Sequence, residues 1–286
     1  MHQRERSPGN QQTHTLIMTI TFLSYGQQSF HGTSANDRVL SLGSYKNIML
    51  DEGDNFLYSS GDSNRATSGY GDDRFYMFGG NQEIVSSGGS NIVETGNGDD
   101  RIEIFGGGNN VIETDGGRDS VWLGDGNDSV NPGDGDDFVF VASGDDTVYA
   151  GTGDDHLTAV NSKGYNIFWG EDGNDFLMGG TEGDYLDGGI GKDILSGEAG
   201  SNLLWGGADA DLFRIGRGGS TDIIHDMNSA EGDSVVFVEQ LDELNINVNV
   251  FEIQYDGVTI NGDPINGTIT CFDANQARGL AQSLML

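Results

Sequence analysis

The chain has one cysteine, Cys271, and three prolines in 286 residues. A lone thiol excludes any intrachain disulfide, so no covalent staple holds the fold, and Cys271 reads as a small apolar filler in a β segment. Basic residues are scarce: 13 Lys and Arg stand against 46 Asp and Glu, a formal net charge of −33. So acidic a surface repels nucleic-acid backbones and anionic membranes and excludes both as direct partners. No apolar run is long enough to span a membrane. Leu16–Leu23 is short, is interrupted by threonine and has no small-residue cleavage site close behind. It reads as an initial strand rather than a signal peptide, with Met18 a second candidate start.

Catalytic signatures are missing as well. There is no H-E-x-x-H of a metalloprotease and no G-x-S-x-G elbow of a lipase. Gly191-Lys192 is followed by Asp193 and lacks the upstream glycine of a phosphate-binding loop. The five histidines are scattered; His156 and His225 read as surface or packing residues. The acidic turns do not match the EF-hand spacing. The expectation is a protein that is not an enzyme.

What the chain has is glycine, 47 of it, and a period. Twenty apolar residues recur as Val39, Ile48, Leu57, Ala66, Phe75, Val85, Val93, Ile102, Ile112, Val121, Val130, Val139, Val148, Leu157, Phe168, Leu177, Leu186, Leu195, Leu204 and Phe213. Fifteen of the nineteen gaps are nine residues. A period held this long marks a repeat architecture. With the apolar residue as position 8, position 6 is Asp in twelve units and Asn in six, with Lys46 and Glu83 the exceptions. Position 4 is Gly in fourteen, and Gly188–Ser196 reads GGIGKDILS.

Nine residues divide into a six-residue turn and a three-residue strand. Strand side chains alternate, so position 8 points in while positions 7 and 9 point out. Two units make one coil, and one unit cannot bury its apolar face alone, so stability comes from stacking. Stacked turns also set like charges in a row about 5 Å apart. Calcium, a hard cation that takes six to eight oxygens, suits such a row, because glycine turns expose carbonyls and position 6 supplies carboxylates. A metal-free solenoid with Asn and Asp as mere turn formers is the alternative reading.

Over roughly residues 32–227 the units resemble the RTX, or hemolysin-type calcium-binding, family through the form G-G-x-G-x-D-x-U-x. The resemblance implies an all-β, right-handed parallel β-roll with each calcium ion between two turns on the same side. It also implies export by type I secretion machinery and an extracellular or cell-surface location. The apolar end Ser283–Leu286 is compatible with an uncleaved C-terminal signal. Low cytosolic calcium would keep the chain unfolded, and external calcium would fold it. With a charge of −33 and so much glycine, disorder is expected without the metal.

Same-side turns are every second unit. One side carries Asp100, Asp119, Asp137, Asp155, Asp175, Asp193 and Asp211 without a break. The other is diluted by Asn55, Asn91, Asn110, Asn166 and Asn202, with Asp37, Asp73, Asp128, Asp146 and Asp184 between them. The expected metal ligands are the seven of the unbroken side together with Asp128, Asp146 and Asp184. The diluted side should be the weaker, provided that the insertion near Ala159 and Val160 leaves the parity intact. The first seven units depart from the pattern and leave their calcium binding open. Acids at position 5 (Asp72, Asp99, Asp136, Asp145, Asp154) read as solvated turn residues.

The expected organisation is a disordered tail at 1–17, a β-roll at 18–213 and a C-terminal β-rich cap with the secretion signal at 214–286. Within the cap, Ile246–Tyr255 and Val258–Ile260 read as strands around an Asp256-Gly257 turn. Asn261-Gly262 reads as a further turn, Thr268–Phe272 as a strand and Ala274–Leu284 as a short helix. Position 7 turns apolar only in the last units, at Ile167, Phe176, Tyr185, Ile194, Leu203 and Leu212. Such a face is expected to be covered by the cap; self-association or a protein partner is the alternative, with Trp122, Trp169 and Trp205 contributing or bracing strands. The second functional reading is accordingly an adhesion or matrix component, or an accessory module of an exported hydrolase or toxin.

Overall fold

The computed structural model describes residues 20–159, 162–215, 221–228 and 230–237, and from Phe237 onward only the backbone of Leu241–Asn249, Glu252–Thr259 and Pro264–Thr270. Residues 1–17, Asn261-Gly262, Cys271, Ala274–Leu284 and Ser283–Leu286 lie outside the described residues. The chain winds as an all-β parallel solenoid. Among the described residues, the two sides of successive coils build a long sheet of sixteen strands and a short sheet of twelve. Through the coils each strand pairs in parallel with the next strand of its own sheet, so Val39, Leu57, Phe75 and Val93 stack in one column. Val121, Val139, Leu157, Leu177 and Leu195 stack in the facing one. These residues are at most 1 % exposed. Full burial of such a side chain contributes about 1.5–3 kcal/mol, which only the neighbouring coils make available.

The register corrects the sequence reading at one unit. Ile84, not Val85, stands between Ala66 and Ile102 and is fully buried. The nine-residue beat is therefore unbroken from Phe75 through Ile84 to Val93. Position 6 of that unit is Gln82, and Glu83 moves to the outward position 7, where it pairs with Arg65 at 3.1 Å. Two adjacent apolar residues made the choice ambiguous; one residue of slip exchanges inside for outside.

Strands are also longer than three residues in many coils. Phe56–Ser60, Arg65–Tyr70 and Glu83–Gly88 run five or six residues. A second inward position therefore appears two residues after position 8, filled by Leu50, Met77, Ser86, Thr95, Leu123, Val141 and Ala150, all buried. In the last coils glycine takes this place, as at Gly170, Gly188 and Gly206.

The coil outlasts the nonapeptide. Thr221–Ile224 continues the long sheet beside Leu204, and Ser234–Phe237 continues the short sheet beside Phe213. Pro264–Thr270 then pairs in parallel with Thr221–Ile224 and is followed outward by Glu252–Thr259 and Leu241–Asn249 in antiparallel order. These strands lengthen the sheet at its open edge. Asp256-Gly257 is not a turn: it pairs with Asn245 and Leu244 inside a strand, and the reversal falls between Asn249 and Glu252. An Asp-Gly pair permits a turn but does not compel one when cross-strand pairing continues through it.

Outward aromatics brace neighbouring coils. Trp169 stacks on Tyr149 at 4.4 Å, Trp205 on His225 at 4.3 Å, and His156 packs between Phe138 and Phe176. The six apolar position-7 residues are half-buried on the outer faces.

Candidate metal centre

Position 6 ends each turn, and its backbone and side chain link one coil to the next. The Asp100 N–H donates to Asp119 Oδ1 at 2.8 Å, the Asp119 N–H to Asp137, and the Asp137 N–H to Asp155. The chain of bonds continues through Asp175, Asp193 and Asp211 to Asp233. On the other side the same bond runs through Asn91, Asn110, Asp128, Asp146, Asn166, Asp184 and Asn202. Parity thus survives the insertion: Asp146 still meets Asn166 and Asp155 still meets Asp175. A second, exposed ladder at position 5 runs in the opposite sense. There Asp99 Oδ1 accepts the N–H of Arg118, and Asp136 Oδ1 that of Asp154. The position-5 acids are staples between coils as well as solvated residues.

Because Oδ1 is what the ladder uses, Asn and Asp serve it equally. They differ in the second atom. Asn110 Nδ2 donates to the Gly108 carbonyl at 2.9 Å and to Asp128 Oδ1. Asn55 and Asn91 likewise donate to Gly53 and Gly89, the position-4 carbonyls of their own turns. An aspartate presents an oxygen where asparagine presents N–H. At Asp73, Asp100, Asp119, Asp128, Asp137, Asp146, Asp155, Asp175, Asp193 and Asp211, Oδ2 is buried without a hydrogen-bond partner. A buried acceptor with no donor is costly, and a charged one more so. Hydroxyls of Thr95 and Thr114 approach Asp100 and Asp119 without closing a hydrogen bond to Oδ2.

Nine of the ten expected ligands belong to this set. Asp184 does not: its Oδ2 accepts the Gly180 N–H at 2.7 Å and its Oδ1 accepts from Asn166, so both oxygens are satisfied by the protein. Asp73, which was outside the expected ligands, has the same orphaned oxygen, yet its same-side neighbours Asn55 and Asn91 are both amides.

Burial pushes the carboxyls far up: Asp100, Asp137, Asp146, Asp193 and Asp211 to about 7, and Asp155 to about 8. Asp119, Asp128 and Asp175 rise to about 6 for the same reason. Backbone N–H donors oppose the shift, and neighbouring carboxylates such as Asp119 and Asp175 add to it. A cation between the turns would remove the penalty that burial imposes on the charged form.

The surrounding backbone also presents oxygen. A Cβ placed on Gly188 would overlap Asp193 Oδ2 and the Gly206 carbonyl oxygen, so a carboxylate and a carbonyl from the next coil converge there. Gly135, at φ +144°, lies so close to the Gly117 carbonyl that no side chain fits. Among the described residues no three His, Cys, Asp or Glu side chains converge as a metal cluster, so any ion must draw on backbone carbonyls as well. Carboxylate and carbonyl oxygens without nitrogen or sulfur are the donor set of calcium.

The family model described as RTX calcium-binding nonapeptide repeat (4 copies) matches residues 78–103, 106–139, 140–159, 162–186 and 187–222. These segments are RTX calcium-binding repeats. RTX nonapeptides bind several calcium ions per array, and the solenoid with its orphaned aspartate oxygens fits that chemistry. The RTX roll is a structural calcium-binding domain type, and such repeats typically occur in exported proteins. No curated protein matches the chain. No described helix is long and apolar enough to cross a membrane. An outer-face groove of about 560 Å³ lined by Phe105, Trp122 and Phe140 has Arg101 and Glu103 as its only ionisable residues.

Proposed function

We propose that the RTX coils load calcium between successive turns at the aspartates with an orphaned Oδ2, mainly along Asp100, Asp119, Asp137, Asp155, Asp175, Asp193 and Asp211. Asp128 and Asp146 form a shorter second row; Asp184, satisfied by the backbone, contributes least. The observation that carries this reading is the contrast within one ladder: asparagine closes on the turn carbonyl, and aspartate leaves a buried oxygen without a donor. Calcium then supplies folding free energy, so these coils form where calcium is abundant, outside the cell, after export by type I secretion machinery. The role is structural and not enzymatic. Calorimetric calcium titration followed by circular dichroism tests it: binding of several ions coupled to a gain of β signal is expected. A β signal already complete in excess chelator would overturn it.

The half-buried apolar row Ile167, Phe176, Tyr185, Ile194, Leu203 and Leu212 favours a second role, assembly on a cell surface or with an exported hydrolase or toxin. Calcium-dependent growth in light scattering would support that role, and a monomer at all calcium levels would exclude self-assembly.

A further inference from the structure

The first coils carry their own replacement for the metal. Lys46 stands at position 6 and is 2 % exposed, one of the largest fully buried side chains of the chain. Its ammonium donates to the carbonyls of Ser24, at 2.9 Å, Tyr25, at 3.2 Å, and Gln27, all in the turn of the preceding coil. A cation thus already sits between two turns on one side and is held by backbone oxygens. Gln82 repeats the arrangement with a neutral group. Its Nε2 donates to Gly61 in the preceding coil at 3.0 Å and to Gly79 and Gly80 in its own turn. Between them, Asn64 Nδ2 reaches the Gly61 carbonyl. On the opposite side Asn55 and Asn91 close on Gly53 and Gly89, and Asp37 Oδ2 accepts the Thr33 N–H.

From Asp37 to Asn91, then, seven position-6 side chains meet the turns of two sheets, and Asp73 alone brings an orphaned oxygen. The ladder that runs from Lys46 through Asn64 and Gln82 carries only carboxylates from Asp100 onward. We infer that the solenoid is divided: coils up to about residue 95 are held by side-chain nitrogen, with the Lys46 ammonium as a built-in cation, and fold without calcium. The calcium-requiring coils begin at Asp100 and stack on this preformed edge. A stacked repeat adds units to an existing face more readily than it nucleates a new one, so the division gives folding a direction, from the amino end onward. The inference rests on the calcium reading above for the second half and adds to it a first half that needs no calcium.

Hydrogen exchange read by mass spectrometry on the full chain, in excess chelator and in calcium, tests both. Expected is protection of amides between residues 38 and 94 under both conditions, with those between 119 and 213 protected only in calcium. Protection of both halves only in calcium would overturn the division and leave the calcium reading standing. Protection of both in chelator would overturn the calcium reading itself. Lys46→Met should lower the chelator protection of residues 38–70 at least tenfold; unchanged protection would overturn the surrogate role. Because that variant can simply lose its fold, Gln82→Asp provides a gain instead. It extends the carboxylate row by one, so the calcium count should rise and residues 80–88 should become calcium-dependent. An unchanged count with unchanged protection counts against the inference.

Discussion

Replacing Asp137 by asparagine and by alanine separates the two jobs of position 6. Asp137 Oδ1 accepts the Asp119 N–H at 2.7 Å, and its Oδ2 is buried without a partner. Asparagine keeps the first contact, and its amide nitrogen can close on the Gly135 carbonyl as Asn110 does on Gly108. Removing a buried unpaired acceptor recovers about 1–3 kcal/mol, and the new hydrogen bond adds about 1 kcal/mol. The calcium-free coil should therefore gain about 2–4 kcal/mol. That corresponds to about a 30- to 700-fold rise in its folded fraction relative to unfolded. Alanine instead strands the Asp119 N–H, which costs about 1–3 kcal/mol with or without calcium. Hydrogen exchange of residues 130–145 in excess chelator reads the first effect, and calorimetric ion counting reads the loss of calcium that both variants share. No gain of chelator protection in Asp137→Asn over the parent chain, or an unchanged ion count in Asp137→Asn, would refute the argument that the second oxygen exists for the metal.

Asp184→Asn should leave the calcium count nearly unchanged while Asp137→Asn lowers it, because Asp184, unlike Asp137, has both oxygens satisfied by the protein; equal losses in titration would contradict this. Acid should partly replace calcium. Burial raises the folded carboxyls from 3.8 to between about 6 and 8, so the metal-free coil has its full stability below about pH 4 and loses it as pH rises through that range. In chelator the β signal should be stronger at about pH 5 than at about pH 8, whereas calcium affinity should rise over the same interval as protons leave. A chelated spectrum that does not change with pH would count against the buried carboxyls. Gly135→Ala forces a side chain against the Gly117 carbonyl at φ +144° and should cost at least about 1–3 kcal/mol in calcium, seen as a lower thermal midpoint. Leu177→Ala opens a cavity between Leu157 and Leu195 and should cost about 2–5 kcal/mol whether or not calcium is bound.

Much of this molecule is legible before any coordinate is known. A nine-residue beat can only be satisfied by stacking, so the parallel solenoid, its two alternating sides and the inward residues follow from spacing. The aspartate row follows from the same count, because an even number of units always returns to the same side. The unit at Ile84 escaped because two apolar neighbours satisfy the pattern almost equally, although two restored gaps of nine were available as a signal. The second inward position escaped too, since Ser41, Leu50, Ser59 and Met77 mix polar and apolar types.

Period, charge and residue type are local properties, and the chain carries them in its order. Whether a given position-6 side chain is satisfied is not local. The N–H that Asp137 accepts comes from Asp119 and the carbonyls that hold Lys46 come from residues 24–27, each about one coil away. The nearly identical spacings of Asp184 and Asp137 therefore say nothing of the Gly180 N–H that satisfies one and not the other. Folding alone decides that, because it brings separated turns to hydrogen-bond distance and leaves some of their oxygens buried without a donor.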